Sequence, residues 1–166
     1  MKTLFTLFSL ILSVCSYSQS AKQFYSDGVI KFEFKNYRGA NFDFTMAINL
    51  SPKDARIYLA RGAARGKLDN WYGALADFNK AIELNPRIED GYYDRGLAKF
   101  NLQDYRGSIL DFSKAIELNP KNAKSFYIRG SAKIKLNQKE SGCLDFSTAG
   151  ELGYLESYDM INEYCQ

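Results

Sequence analysis

Acidic and basic residues recur along the sequence at one fixed interval, and this pattern is the first candidate for chemistry. An Asp follows an Arg at the same separation in three evenly spaced places: Arg61 and Asp77, Arg95 and Asp111, Arg129 and Asp145. Two carboxylates can hydrolyse a glycosidic bond when they lie within about 5–10 Å of each other around a cleft. Three equivalent acids, one in each interval, do not converge in this way. The spacing therefore favours structural ion pairs over a catalytic site.

The composition excludes most classes of enzyme. The chain has 166 residues and contains no His, so a Ser-His-Asp triad, a Cys-His dyad and a His-containing zinc site are all impossible. Neither a Gly-rich phosphate loop nor a Cys-x-x-Cys pair occurs. The formal net charge of +3 is too small to indicate a nucleic-acid partner. We therefore expect no enzymatic activity, no metal, no cofactor and no small-molecule substrate.

The first residues have the pattern of a secretory signal peptide. A basic residue precedes an apolar run from Leu4 to Val14, which is too short to span a bilayer as a stable helix, and small residues follow. We predict a signal peptide over 1–18, cleaved after Ser18, and an exported chain that is periplasmic or secreted. An uncleaved N-terminal anchor is one alternative. A lipoprotein acylated at Cys15 is another, but Val14 stands where lipoprotein signals have Gly, Ala or Ser.

The prolines mark an internal repeat. Pro52, Pro86 and Pro120 are evenly spaced, and the segment KAIELNP occurs twice, ending at Pro86 and at Pro120. Self-similarity at a fixed period is typical of repeat architectures. Within the second period, apolar residues recur at helical spacing over about 55–68 and 71–84. The second of these helices ends before Pro86, because the residue before a proline is disfavoured in helical conformation.

At these positions the sequence resembles the tetratricopeptide repeat, a 34-residue helix-turn-helix unit. The family motif is matched in the second unit by Tyr58, Gly62, Ala74, Phe78, Ala81 and Pro86, and the matches of the other units begin at Phe24, Tyr92 and Phe126. The resemblance implies an all-α solenoid of four units at about 21–54, 55–88, 89–122 and 123–154, with a C-terminal capping helix at 155–166. Basic residues stand where the family often has Tyr, at Lys31, Arg65, Lys99 and Lys133.

The resemblance also places the three Arg–Asp pairs. The Arg lies on the first helix of a unit and the Asp on the second helix, so we predict an ion pair that joins the two helices. The first unit has Asp27 where the others have Arg, opposite Asp43. We therefore expect no such pair in the first unit, and a looser N-terminal end.

Two cysteines lie near the predicted C-terminal cap. Cys143 is ten residues before Gly153, and Cys165 is ten residues after Leu155. In an antiparallel helix pair these positions fall at the same level. We predict a Cys143–Cys165 disulfide, which would stabilise the fold by roughly 3 kcal/mol in the chain-entropy model and suits an oxidising compartment. Two unconnected buried thiols are the alternative.

The resemblance implies a groove lined by the first helix of each unit, which would hold an extended peptide or a partner helix. The residues predicted to bind there are Arg56, Leu59, Lys67, Tyr93, Phe100, Lys124, Tyr127 and Lys135. Aromatic anchors among basic residues suit an acidic segment. Family members that clamp a terminal carboxylate use Lys and Asn at groove positions where neither residue occurs here, so that activity is not predicted. An ordinary solvated helix face is the alternative.

These features together predict a non-enzymatic exported scaffold that binds another protein through its groove. The alternative function is a self-assembling, homo-oligomeric module of the cell envelope, in which the first unit docks onto another copy of the chain.

Overall fold

The computed structural model describes residues 20–166, which contain nine α-helices and no strand. The predicted signal peptide at 1–18 lies outside these residues. Within the described range, no helix is long and apolar enough to cross a membrane. The helices are α1 at 20–33, α2 (Tyr37–Leu50), α3 (Ala55–Gly66), α4 (Trp71–Leu84), α5 (Glu89–Asn101), α6 (Tyr105–Leu118), α7 (Ala123–Lys135), α8 (Lys139–Glu151) and α9 (Ser157–Tyr164).

The first eight helices form four helical hairpins, which we call units 1 to 4. The A helices are α1, α3, α5 and α7, and the B helices are α2, α4, α6 and α8. Each B helix packs on the A helix of its own unit, and α2, α4 and α6 also pack on the A helix that follows. The A helix α5 also contacts α3 and α7. The all-α stack of helix-turn-helix units that the sequence predicts is confirmed.

The turn inside each unit has the same construction. One residue in each turn has φ between 58° and 63°, and these residues are Lys35, Asp69, Gln103 and Asn137. In units 1 to 3 the side chain of the next residue caps the B helix: in unit 2 Asn70 Oδ1 accepts a hydrogen bond from the Gly73 backbone N–H at 3.0 Å. In unit 4 the side chain of Gln138 makes no such bond. A Cβ on Gly73 would lie 2.7 Å from Asn70 Nδ2. The recurring glycine at this position therefore leaves room for the capping side chain.

Each unit is packed around one phenylalanine of its B helix. These side chains, Phe44, Phe78, Phe112 and Phe146, are all buried. Each lies against the glycine of the A helix in the same unit, and a Cβ on Gly130, for example, would lie 2.9 Å from Phe146 Cε1. Because any larger residue would push the two helices apart, the recurrence of this Gly and this Phe in every unit is a requirement of packing.

The C-terminal end is covered by α9, which packs on α8. Ser157 is buried at the start of α9, where its Oγ donates a hydrogen bond to the Tyr154 carbonyl at 2.7 Å. Cys143 in the first turns of α8 and Cys165 just after α9 are joined by a disulfide, with Cα atoms 5.7 Å apart. The capping helix is shorter than the predicted 155–166 because its first residues form a turn.

Candidate functional site

The recurring Arg and Asp residues meet inside their own units. Arg Nη2 lies 2.6 Å from the Asp carboxylate in the pairs Arg61–Asp77 and Arg95–Asp111, and 2.7 Å in Arg129–Asp145. All three Asp side chains are buried. Each pair therefore joins an A helix to its B helix, and no two of these acids share a cleft.

The same arginines also connect successive units. Arg95 Nη1 donates a hydrogen bond to Asn79 Oδ1 at 2.8 Å, and Arg129 Nη1 donates to Ser113 Oγ at 3.0 Å. In both cases the acceptor belongs to the preceding B helix. One guanidinium thus holds three helices together, which is a structural role.

A second cation, which was not predicted from the sequence, lies close to each of these three Asp side chains. Arg65 lies 2.8 Å from Asp77, Lys99 lies 2.8 Å from Asp111 and Lys133 lies 2.7 Å from Asp145. These are the basic residues that replace the family's usual Tyr, one helical turn after the pairing Arg. Each of them follows the pairing Arg by one helical turn and so lies on the same helix face, which is the sequence signal that could have predicted this contact.

Unit 1 lacks the Arg–Asp pair of the other units, as expected, but its buried Asp43 still has a cationic partner. Lys31 Nζ lies 2.6 Å from Asp43 Oδ2, so this buried carboxylate has a cationic partner although Asp27 replaces the Arg. The contact is an ion pair without hydrogen-bond geometry. Lys31 reaches Asp43 from the position that supplies the second cation in the other units.

The predicted aromatic residues of the groove are anchored in the core. The ring centroids of Tyr93 and Phe112 are 5.6 Å apart, and those of Tyr127 and Phe146 are 5.7 Å apart. Leu59 packs in the same way on the cluster around Phe78. All three groove residues are half-buried. Each therefore contributes one face to the core of its unit and leaves the other toward the surface of the A helices.

The other predicted groove residues differ in their engagement. Phe100 is half-buried and packs edge-on against Tyr105, with ring centroids 5.3 Å apart. Arg56 is exposed, and its guanidinium lies 2.7 Å from the Asp54 carboxylate. The remaining predicted residues, Lys67, Lys124 and Lys135, are also exposed.

A cavity of about 450 Å³ opens between α1, α3 and α5, and we call it the central cavity. It brings together three of the predicted residues, Arg56, Leu59 and Tyr93. Its lining also includes Tyr25, Asp90 and Asp94. Lys124, Tyr127 and Lys135 lie on unit 4, away from this cavity, and Lys135 lines a separate pocket near Tyr164.

Asp94 is the lining residue that sequence reasoning missed. Burial, together with the nearby charges of Asp90 and Glu89, raises the pKa of its carboxyl to about 7. Burial next to this carboxyl also raises the pKa of Tyr93 to about 12. The equivalent residues of the other units are Ser26, Ala60 and Ile128. Because Asp94 occurs only once, the repeat pattern gave no signal for it.

Metal binding finds no support in the described range 20–166. No group of three or more Cys, Asp or Glu side chains there is arranged to hold a metal ion. The A helices instead present a surface with apolar, aromatic and charged side chains, among them Leu59, Tyr93 and Asp94.

Comparison with protein families and solved structures identifies relatives of the fold. Residues 89–122 match the tetratricopeptide repeat family, which is the range predicted for the third unit. No curated protein matches the sequence. The first tetratricopeptide domain of Spaghetti (RPAP3), solved with the HSP90 peptide SRMEEVD, is 26% identical with a TM-score of 0.71, covering 72% of this chain and 95% of that one.

Two further structures extend the similarity. The tetratricopeptide domain of Arabidopsis OM64 is 26% identical with a TM-score of 0.67, covering 74% of this chain and 98% of that chain. YrrB, described as a tetratricopeptide protein with an unusual peptide-binding site, has a TM-score of 0.78 at 18% identity, covering 97% of this chain and 88% of its own. At that identity, YrrB supports the fold alone.

Proposed function

Since the chain is a tetratricopeptide-repeat protein, we propose that it is a non-enzymatic scaffold that binds a segment of another protein along its A helices. The observation that carries this proposal is the row of half-buried side chains on that surface, including Leu59, Tyr93 and Tyr127. Their inner faces are fixed by the core, so little conformational entropy is lost when a partner covers them.

The distribution of charge supports a segment of mixed character. Lys124 and Lys135 are exposed on unit 4, where an acidic part of the segment would be attracted. Asp90 and Asp94 of unit 3 line the central cavity. An extended segment that crosses both regions would therefore be recognised through electrostatic interactions as well as apolar contacts.

We also propose that the protein acts outside the cytosol, after cleavage of a signal peptide over 1–18. The bonded pair Cys143 and Cys165 supports this location, since disulfides persist in oxidising compartments.

The alternative function is self-assembly through unit 1. The buried Asp43 carboxylate of this unit gives it no support, because Lys31 pairs with that carboxylate. The exposed side chains of Ile30 and Phe34, with 51% and 81% of their surface accessible, favour it instead. Light scattering over a range of concentrations separates the two functions, because a monomer at all concentrations counts against self-assembly.

Site-specific photo-cross-linking tests the scaffold. A photoreactive phenylalanine analogue replaces Lys67 or Lys135 on the A-helix surface and, as the matched control, Glu117 on the B helix α6. The protein is irradiated in the envelope fraction of its native cells. We expect the same partner to be captured from both A-helix positions and not from position 117. Capture from position 117 alone would contradict the proposal, and products that contain only this chain would favour self-assembly.

A further inference from the structure

Building on the scaffold function, we propose that the central cavity is a subsite for one cationic side chain of the bound segment, an Arg or a Lys. The cation would sit at the Asp94 carboxylate, with Asp90 beside it and the rings of Tyr25 and Tyr93 as walls. This goes beyond peptide binding in general, because it assigns a residue class to one position of the partner.

The Asp94 carboxylate is the first reason. Among the described residues it forms neither a hydrogen bond nor an ion pair, although it is partly buried in the cavity wall. The other acids that the chain buries all have cationic partners within 2.7 Å, and these acids are Asp43, Asp77, Asp111 and Asp145. A carboxylate withdrawn from water without a partner costs free energy that a bound cation would restore.

The surrounding charges are the second reason. On α5, Glu89 and Asp90 add negative charge next to Asp94. Arg56 on α3 also lines the cavity, but Asp54 engages it twice, at 3.0 Å through Nε and at 2.7 Å through Nη2. Lys67 acts on Asp94 only weakly, from the exposed end of α3. The cavity therefore repels an acidic side chain and attracts a basic one.

The aromatic walls are the third reason. Tyr25 is held against Phe44, with centroids 5.8 Å apart, and Tyr93 against Phe112. Rings fixed in this way can stack on a guanidinium or an ammonium group. The chain already combines these elements internally: the guanidinium of Arg95 pairs with Asp111 and lies 5.5 Å from the Tyr92 ring centroid.

A metal ion or a neutral apolar group fits the cavity less well. Two carboxylates without a third ligand do not make a metal site in the described chain, and an apolar group would leave Asp94 unpaired. The raised pKa of Asp94 agrees with an incomplete site, because a bound cation would favour the ionised carboxylate and lower that pKa again.

Titration with small probes, followed by NMR, tests the subsite directly. The probes are N-acetyl-arginine amide and N-acetyl-citrulline amide, which have nearly the same shape but differ in charge. At pH 8 we expect the arginine probe, and not the citrulline probe, to shift the resonances of Tyr25, Tyr93 and Asp94. Asp94→Asn should weaken binding of the arginine probe about tenfold. Glu117→Gln, the same kind of charge change on the exposed side of α6, should leave it unchanged.

Equal shifts with both probes, or no shifts with either, would overturn the subsite. This comparison uses the unaltered chain, so it decides the question even if Asp94→Asn does not fold. An arginine probe that binds Asp94→Asn as tightly as the unaltered chain would also overturn it.

A random peptide library selected on the unaltered chain separates the subsite from the scaffold function. Binders that share a basic residue and lose affinity for Asp94→Asn support both. Binders without one, which bind the variant equally well, overturn the subsite and keep the scaffold function. If the library gives no binder while the arginine probe still binds at Asp94, the subsite stands and binding of peptide segments is contradicted.

Discussion

The guanidinium of Arg61 donates two hydrogen bonds to the carboxylate of Asp77, from Nε at 3.0 Å and from Nη2 at 2.6 Å. This bidentate pair joins α3 to α4. The carboxylate is buried and the guanidinium nearly so. Such a pair adds little free energy compared with a well-packed apolar contact, but it becomes costly when one partner is removed.

Asp77→Ala should therefore lower the free energy of unfolding by about 3 kcal/mol, because it leaves Arg61 and Arg65 uncompensated. Urea denaturation measures this loss. The control is Glu83→Ala, which removes an exposed ion pair with Lys80 and should cost less than about 1 kcal/mol. Similar losses of unfolding free energy for the two variants would show that the buried pair contributes no more to stability than an exposed one.

Lys31→Met should destabilise the chain by about 1–3 kcal/mol, because it leaves the buried Asp43 carboxylate without its cation. Lys53→Met, at an exposed loop position, removes the same charge without a buried partner and serves as control. Thermal unfolding of both variants checks the result. Equal loss of stability in the two variants would show that the contact of Lys31 with Asp43 adds nothing beyond an exposed charge.

Replacing both Cys143 and Cys165 by Ser should reduce the free energy of unfolding by roughly 3 kcal/mol. The loss should concentrate at α9, so limited proteolysis should cut the variant there first. The unaltered chain should become equally sensitive in reductant and regain its resistance when the reductant is removed. Titration of two free thiols in the folded, unreduced chain would refute the bridge.

Asp94→Asn should stabilise the chain at pH 8 and have little effect at pH 4. In the folded chain the carboxyl has a pKa of about 7, whereas its ordinary value is 3.8. Between these values the folded state holds a proton that the unfolded state has released, so stability falls as the pH rises through this window. The variant avoids the loss, and we expect a gain at pH 8 of about 2 kcal/mol, half of the roughly 4 kcal/mol that the full shift corresponds to, because Asp94 is only partly buried. A gain that does not depend on pH would contradict the raised pKa.

The repeat architecture could be predicted because its determinants recur. Gly62 and Phe78 are in contact, and three other units repeat that contact at the same spacing. The turn positions and the B helix at Trp71–Leu84 follow from the same period.

The central cavity could not be predicted in this way. Asp94 has no counterpart in the other units, and its environment depends on residues from α1 and α3 that are distant in sequence. The pairing of Lys31 with Asp43 was missed for a related reason. Spacing locates a side chain on a helix, but it does not tell how far that side chain reaches toward the neighbouring helix, and both basic positions of units 2 to 4 reach the same Asp.

The disulfide at the cap makes the two ends of the repeat stack differ in their resistance to local unfolding. In a linear array each unit is supported only by its neighbours, so local opening starts at the ends. The covalent link between α8 and α9 holds one end closed, and fraying should therefore begin at α1. Amide hydrogen exchange should slow progressively from unit 1 toward unit 4, and reduction of the bond should flatten that gradient.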